Sequence, residues 1–504
     1  MKIYKYASFV VLLSFLVMPL LGGQTALAAT ALQISGIQTF NIDSTSATVY
    51  WNTNVATDSL VKYSNANPVP ANAPQVYSSS LVNNHQVQLT NLTPNTYYYY
   101  NIKSCTGRRN SCASVNGLSF KTLTVSQQAC DPVPPLPGSW TKVNSPNVSS
   151  NVVSVNHHLL GVAAVSDNNV WTVGWSTNPN GPQFAEQTLI EHFDGSSWKI
   201  VPSPNTNDPL NELYSISAVS ANDIWAVGKS ENPSSLPSKS LIEHWNGSSW
   251  TIVPSPSVYT ANNILRGVAA ISANNVWAVG FSQNTDNAVL TFILHWDGTT
   301  WTQVFSPNPN SSLTSANQLT GITAISANDI WAVGKSGASP LSLHWNGTTW
   351  SAVAVPTSTG DSLSAFQAVS GSVTNDIWAV GFADGLFVNN RRGMIQRFDG
   401  TSWIPVLCIN GTGGPGITAA NFQYNGVSAS TANNVWIVGD SDGTPLVLHW
   451  DGTSLVIVPT ATFSAAYTRL DAITASSATT AWGVGDYGLN TTTPPQTLIE
   501  KYSR

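Results

Sequence analysis

The chain has 504 residues, which at roughly 100–200 residues per domain is room for two to four domains. Only 9% of residues are charged, against about 25% in an average protein, while 42% are hydrophobic and Trp fills 19 positions. A net charge of −6 with no dense basic stretch argues against nucleic acid as a partner, and the large apolar fraction excludes a solvated disordered chain.

Lys2 and Lys5 precede an apolar run from Ala7 to Leu21, and Ala26-Leu27-Ala28 supplies the small residues that a signal peptidase reads. Residues 1–28 are expected to be a secretory signal, because the apolar run is short for a bilayer core of ~30 Å. No second long apolar run follows, so the mature chain is expected to be secreted, extracellular, monomeric and not inserted in a membrane. Four cysteines suit that oxidising compartment. Cys105 and Cys112 flank a Gly-Arg-Arg-Asn turn and are expected to pair, whereas the pairing of Cys130 and Cys408 stays open. No C-x-x-C spacing points to zinc.

Alternation at Ala47-Thr48-Val49-Tyr50-Trp51 puts Ala47, Val49 and Trp51 on one face of a half-buried strand. His85–Leu92 and Tyr98–Ile102 repeat the pattern, and alternation through Tyr97–Tyr100 sends two of the four rings into a core. The segment Leu92-Thr93-Pro94-Asn95-Thr96-Tyr97-Tyr98 resembles the L-x-P-x-T-x-Y signature of the fibronectin type III family, with Tyr98 at the tyrosine-corner position and Trp51 at the core Trp. The resemblance implies an immunoglobulin-like sandwich over 31–122, commonly a spacer or adhesive module in secreted bacterial proteins. Ala47 to Ser64 is also similar to the sandwich that precedes the catalytic domain in purple acid phosphatases. The G-D and G-N-H-[DE] motifs of those enzymes are missing, so the fold is expected without phosphatase chemistry. A Pro-rich linker is expected at 123–137, around Val133-Pro134-Pro135-Leu136-Pro137.

A W-x-V-G unit recurs at Trp171, Trp225, Trp277, Trp331, Trp378, Trp436 and Trp482, spaced by 54, 52, 54, 47, 58 and 46 residues. Each copy follows a strand and an Asn-Asp-type turn, and precedes an apolar strand, a tight Asn-Gly or Asp-Gly turn and a short strand that usually opens on Trp. Four short strands per repeat of about 50 residues is the signature of a propeller blade. The seventh repeat stops at Tyr502 without its last strand, and Gly138-Ser139-Trp140-Thr141-Lys142-Val143 matches that missing strand. The expected fold is therefore all-β: a fibronectin type III sandwich followed, over 138–504, by a seven-bladed β-propeller closed by its N-terminal strand. The repeats resemble kelch and galactose-oxidase propellers, and the turn at 296–301 is similar to the sialidase Asp box. Both resemblances imply fold and no particular activity.

Seventeen of the 19 Trp fall at repeat positions, which assigns them to packing between blades. His192, His244, His295, His344 and His449 share one repeat position, so they are spread around a ring and cannot converge on a metal at about 2.0–2.1 Å. Function is expected on the face that carries the variable loops. One group there is Asp384, Phe387, Asn389, Asn390, Arg391 and Arg392, followed by the Gly-rich 408–424 excursion. The other is a ring at the channel mouth: Leu160, Tyr214, Arg266, Thr320, Ser364, Asn425 and Asp471. Tyr214, Arg266, Asn425, Asp471, Arg391 and Arg392 are the candidate ligand-binding residues. No catalytic residue, metal ligand or cofactor is assigned, since no G-x-S-x-G, H-E-x-x-H or Gly-rich phosphate loop occurs. The expected function is a non-catalytic binding or scaffold protein for an extracellular glycan or protein. The alternative is a glycan-active hydrolase or lyase using Asp361, Asp384, Asp440, Asp442, Asp471 and Asp486, with arginines, at the channel mouth.

Overall fold

The computed structural model describes residues 31–40, 46–93, 96–107, 111–122, 138–148, 155–178, 185–234, 237–256, 262–284, 286–310, 316–357, 361–385, 391–406, 421–452, 454–461, 465–489 and 494–504. The expected signal at 1–28, the linker at 123–137, Cys130, Cys408, Phe387, Asn389 and Asn390 lie outside these residues. All regular structure among the described residues is β, and the chain divides into two compact units.

The first unit is built on five strands, at 34–40, 47–64, 75–89, 97–105 and 112–121. The second strand pairs with the first, third and fourth, and its exposed centre (Asn54, Val55 and Ala56) separates two buried halves. Ala47, Val49 and Trp51 are fully buried, Tyr98 and Tyr100 are buried, and Tyr97 is exposed. Trp51 donates its indole N–H to Ser104 Oγ at 2.9 Å and stacks on His85 at 4.7 Å. His85 is in turn held by the hydroxyls of Thr53, Thr57 and Ser59. A disulfide joins Cys105 to Cys112 across the turn.

Among the described residues the second unit carries seven four-stranded antiparallel sheets, numbered 1 to 7 in chain order and starting at His157, Leu210, Asn263, Asn317, Asp361, Phe422 and Tyr467. In sheet 7 the fourth strand is Ser139–Val143, which pairs with Gln496–Ser503 through contacts such as Trp140 opposite Tyr502. Consecutive sheets meet through tryptophan. The W-x-V-G Trp of one sheet meets a Trp of the next: Trp171 with Trp250, Trp225 with Trp301, Trp277 with Trp350, Trp331 with Trp403, Trp378 with Trp450, and Trp436 with Trp140. Trp482 of sheet 7 makes the same edge-on contact with Trp198 of sheet 1, at 5.5 Å.

Two polar devices recur with the tryptophans. In sheets 1 to 4 an Asn or Asp two residues before the Trp (Asn169, Asp223, Asn275, Asp329) accepts the indole N–H and a His Nε2–H, at 2.8–3.0 Å. Each of these His rings lies 4.0–4.3 Å from the Trp ring. The repeat histidines are thus oriented, bonded and stacked, which accounts for them without a ligand. Sheet 5 places Arg397 there instead, with its Nε donating to Asp376 at 2.6 Å. The second device is the tight turn, where Asn246 Oδ1 takes the backbone N–H groups of Ser248 and Ser249, and Gly247 sits at φ 93°, a conformation that favours glycine. The Asp of the Asp-box-like turn, Asp297, does the same with Thr299 and Thr300, so its carboxylate is consumed locally.

Candidate functional site

A β-bulge interrupts the first strand of every sheet, skipping one residue in its pairing with the second strand: Leu160, Tyr214, Arg266, Thr320, Gln367, Asn425 and Asp471 in turn. A bulge leaves its extra residue outside the ladder and re-aims the side chain. The W-x-V-G glycine makes room for it. A Cβ on Gly174, Gly228, Gly280, Gly334, Gly381, Gly439 or Gly485 would sit 1.8–2.1 Å from a carbonyl oxygen of the bulged strand. The residue after each bulge is Gly, Ser or Ala, which lets neighbouring first strands approach closely. A Cβ on Gly161 would lie 3.1 Å from the Cα of Ser215, and one on Gly426 3.0 Å from that of Ala472.

The bulged residues line one cavity of about 500 Å³. Of the ring expected from sequence, Leu160, Tyr214, Arg266, Thr320, Asn425 and Asp471 all reach it. Ser364 does not. In sheet 5 it is Phe366 that pairs with the W-x-V-G glycine Gly381, so the bulge falls at Gln367, three residues later, and Gln367 lines the cavity. Ser364 is buried and bonded to Asp361.

Arg391 and Arg392, expected on a loop, instead begin a strand, Arg391–Phe398, and both are ion-paired. Arg391 clamps Asp384 through Nε and Nη2 at 2.8 and 3.0 Å, lies 3.9 Å over the Phe382 ring and donates to Gln423. It buttresses the cavity wall from behind. Arg392 is held by Asp361, and neither arginine lines the cavity.

The charges around the cavity are mostly spent on one another. Asp471 accepts from Arg469 Nε at 3.0 Å, and Arg469 Nη2 reaches Asp486 at 2.9 Å, which also takes the His158 ring N–H at 3.2 Å. Burial pushes the Asp471 carboxyl up to about 7 despite the pull of Arg469. Burial also raises Asp486, but His158 and Arg469 outweigh it and hold that carboxyl below the usual range. Asn425 donates to Asp440 at 3.2 Å and to the Leu470 carbonyl at 3.0 Å. Tyr214 donates its hydroxyl to Glu212 at 2.6 Å while the Arg266 guanidinium lies 4.1 Å over its ring, and burial drives the phenol well above its ordinary value. Glu212 is also paired to Lys229, at 3.0 Å.

Sequence reading missed a second tier of lining residues: Phe281, Lys335 and Phe382 just after the W-x-V-G glycine, and Gln318 and Gln423 just before the last buried residue ahead of the bulge. The pairing register ties the tiers together, with Gln318 opposite Lys335. The signal was available, since the residue after each glycine also changes around the repeats, though over fewer residue types than the bulged one: Trp175, Lys229, Phe281, Lys335, Phe382, Asp440 and Asp486. Among the described residues no group of three or more His, Cys, Asp or Glu is placed to hold a metal ion.

Residues 36–122 match the family model of the purple acid phosphatase N-terminal domain, which supports the fibronectin-like reading of the first unit. No curated protein matches the chain in sequence. Among solved structures it is similar to YCF48 bound to a D1 peptide, at 14% identity and a TM-score of 0.46, covering 75% of this chain and 100% of that one. It is similar also to the GH74 xyloglucanase of Xanthomonas campestris, at 11% identity and a TM-score of 0.46, covering 72% of this chain and 55% of that one. A polysaccharide lyase of family PL25, an ulvan lyase, is similar at 10% identity and a TM-score of 0.43, covering 69% of this chain and 94% of that one. What these proteins bind or cleave is theirs; the neighbours of this chain are β-propeller proteins, and its fold is all-β with a fibronectin-like N-terminal unit.

Proposed function

We propose that the chain is a secreted, monomeric, non-catalytic binding protein. In this reading a fibronectin-like module at 31–122 is followed, over 138–504, by a closed seven-bladed, kelch-like propeller that takes an extracellular glycan or protein at the cavity lined by the bulged residues. One observation carries it: every sheet spends its bulge, and the glycine that accommodates it, on aiming the one residue that packing leaves free into a common cavity. The Trp482–Trp198 contact and the pairing of Ser139–Val143 with the last sheet support closure. The charged, apolar and small-residue sequence of 1–28 and the Cys105–Cys112 disulfide support an oxidising, extracellular setting.

The test is a glycan array and a cell-surface protein pull-down with the full chain, repeated with Tyr214→Ala and Asn425→Ala. Binding that both substitutions weaken supports the site; binding indifferent to both removes it.

Asp471 favours one second reading, a glycan-active hydrolase or lyase. A carboxyl held near 7 inside a cavity has the poise of a general acid or base. Screening polysaccharides for new reducing ends or unsaturated products, with Asp471→Asn as control, separates the two: turnover abolished by that change favours the enzyme, and binding without turnover favours the binding protein.

A further inference from the structure

Within the cavity the acids are matched and two of the bases are not. Asp471 is bonded to Arg469, and close by Asp440 takes Gln423 and Asn425 while Glu212 takes Lys229 and Tyr214. On the same side of the molecule Arg391, Arg392, Arg469 and Lys229 each hold a carboxylate. Arg266 and Lys335 line the cavity, half-buried, and among the described residues neither has a carboxylate within 4.0 Å. The undescribed segments between 138 and 504 contain no Asp or Glu at all, so they cannot supply the missing partners. In a chain with 25 acidic and 19 basic groups, a half-buried cation without an acid is a cost, because partial desolvation weakens its hydration without replacing it.

The two cations sit on adjacent sheets, Arg266 at the bulge of sheet 3 and Lys335 after the W-x-V-G glycine of sheet 4. The same arc of the cavity carries the Phe281 ring, and its wall carries the side-chain amides of Gln318 and Gln367. Each amide offers a donor and an acceptor, the combination that vicinal hydroxyls of a sugar ring require, and an aromatic ring offers a face to its C–H groups.

Resting on the binding reading above, we propose that the ligand is an anionic saccharide whose carboxylate or sulfate group is taken by Arg266 and Lys335, with Phe281 and the glutamine amides holding the ring. Arg266, its guanidinium carbon 4.1 Å over the Tyr214 ring, has N–H groups for a bidentate contact with an oxyanion. Lys335 adds a second, less directional charge. The net charge of the chain is negative, so attraction comes from this arc alone and is local.

The experiment is calorimetric titration of the full chain with length-matched oligosaccharides in three arms: uronates, their neutral methyl esters, and sulfated neutral sugars. A Glu-rich hexapeptide is the fourth probe. The expected result is that one anionic arm binds at least about tenfold more tightly than the neutral arm, with affinity falling as salt rises. Arg266→Gln and Lys335→Gln should each weaken that binding about tenfold, as loss of a charged hydrogen bond implies, while Lys199→Gln, in an exposed pair with Asp194, changes nothing. The uronate and sulfate arms identify which oxyanion is read. Equal binding of neutral and anionic sugars, still weakened by Asn425→Ala, would overturn the charge assignment and leave the cavity as the site. Preference for the hexapeptide would overturn the saccharide. Absence of any binding in all four arms would overturn this inference, and absence on the glycan array and in the pull-down as well would take the binding reading with it. Thermal midpoints of each variant guard against misfolding, and Lys335→Gln carries the test if Arg266→Gln fails to fold.

Discussion

The outer and inner positions of the repeat obey opposite rules. At the outer position a Trp returns in every sheet, an Asn or Asp in six and a His in five, because each Trp must fill the same gap against the next sheet. At the inner position the bulged residue is Leu, Tyr, Arg, Thr, Gln, Asn or Asp, with no two alike. Packing between sheets forces repetition, and a residue facing a cavity is released from it. Sequence variation inside an otherwise periodic chain therefore marks a surface that packing leaves free for other work.

The largest break in that contrast is at the outer position. Trp140→Ala removes the ring that sheet 7 presents to Trp436 and is expected to cost about 3–5 kcal/mol, read as a drop in the urea midpoint. An unchanged midpoint would mean that the strand at 139–143 does not fasten the last sheet. Next comes the link between the tiers. Gly280→Ala drives a Cβ to 2.0 Å from the Ile264 carbonyl, and a loss of about 1–3 kcal/mol is expected together with loss of ligand binding, since the bulge at Arg266 must shift.

A third prediction concerns a place where the outer rule lapses. Glu243 is fully buried between sheets with neither carboxylate oxygen bonded among the described residues, at the position where sheets 3, 4 and 6 have Leu294, Leu343 and Leu448. Burial pushes its carboxyl well above the ordinary value of 4.5, and the equivalent Glu191 and Glu500 are pushed to about 8 and about 7 by the same cause. A folded-state value raised above the unfolded one gives stability that is complete below about pH 4.5 and is lost as pH rises through the folded-state values. The protein is thus expected to weaken from pH 5 to pH 8. Glu243→Leu should stabilise it by about 1–3 kcal/mol at pH 8, and less at pH 5, flattening the slope. A variant less stable at pH 8 than the parent would mean that Glu243 has a partner.

The smallest expected effect is at the inner position. Thr320→Val and Arg266→Gln should each change stability by no more than about 1 kcal/mol, since each loses a single contact to the neighbouring sheet and no packed ring, while Arg266→Gln impairs binding. Thr320 donates to the carbonyl of Phe366 at 2.8 Å, so a loss well beyond that figure would place it among the packing residues and narrow the contrast.

Much of this is legible in the sequence. The tryptophan period located the sheets, and the variable ring expected at the channel mouth falls on six of the seven bulged residues. It failed in sheet 5, where the longer first strand, Asp361–Val373, offers Leu363 as well as Phe366 as the buried residue before the bulge. The ion pairs of Arg391 and Arg392 were hidden for a different reason: Asp384 and Asp361 sit on neighbouring strands, so only the fold reveals the pairs. The unpaired state of Arg266 and Lys335 was hidden in the same way.

The sequence by itself determined what is periodic. Strand count, turn chemistry and the tryptophan contacts follow from residue spacing, because the same short-range geometry is solved seven times. The tertiary structure decided which side chains share a cavity and which charges are already spent. Both depend on distances between strands that the chain order does not encode, and a charge has meaning for a ligand only after its neighbours have claimed their share of it.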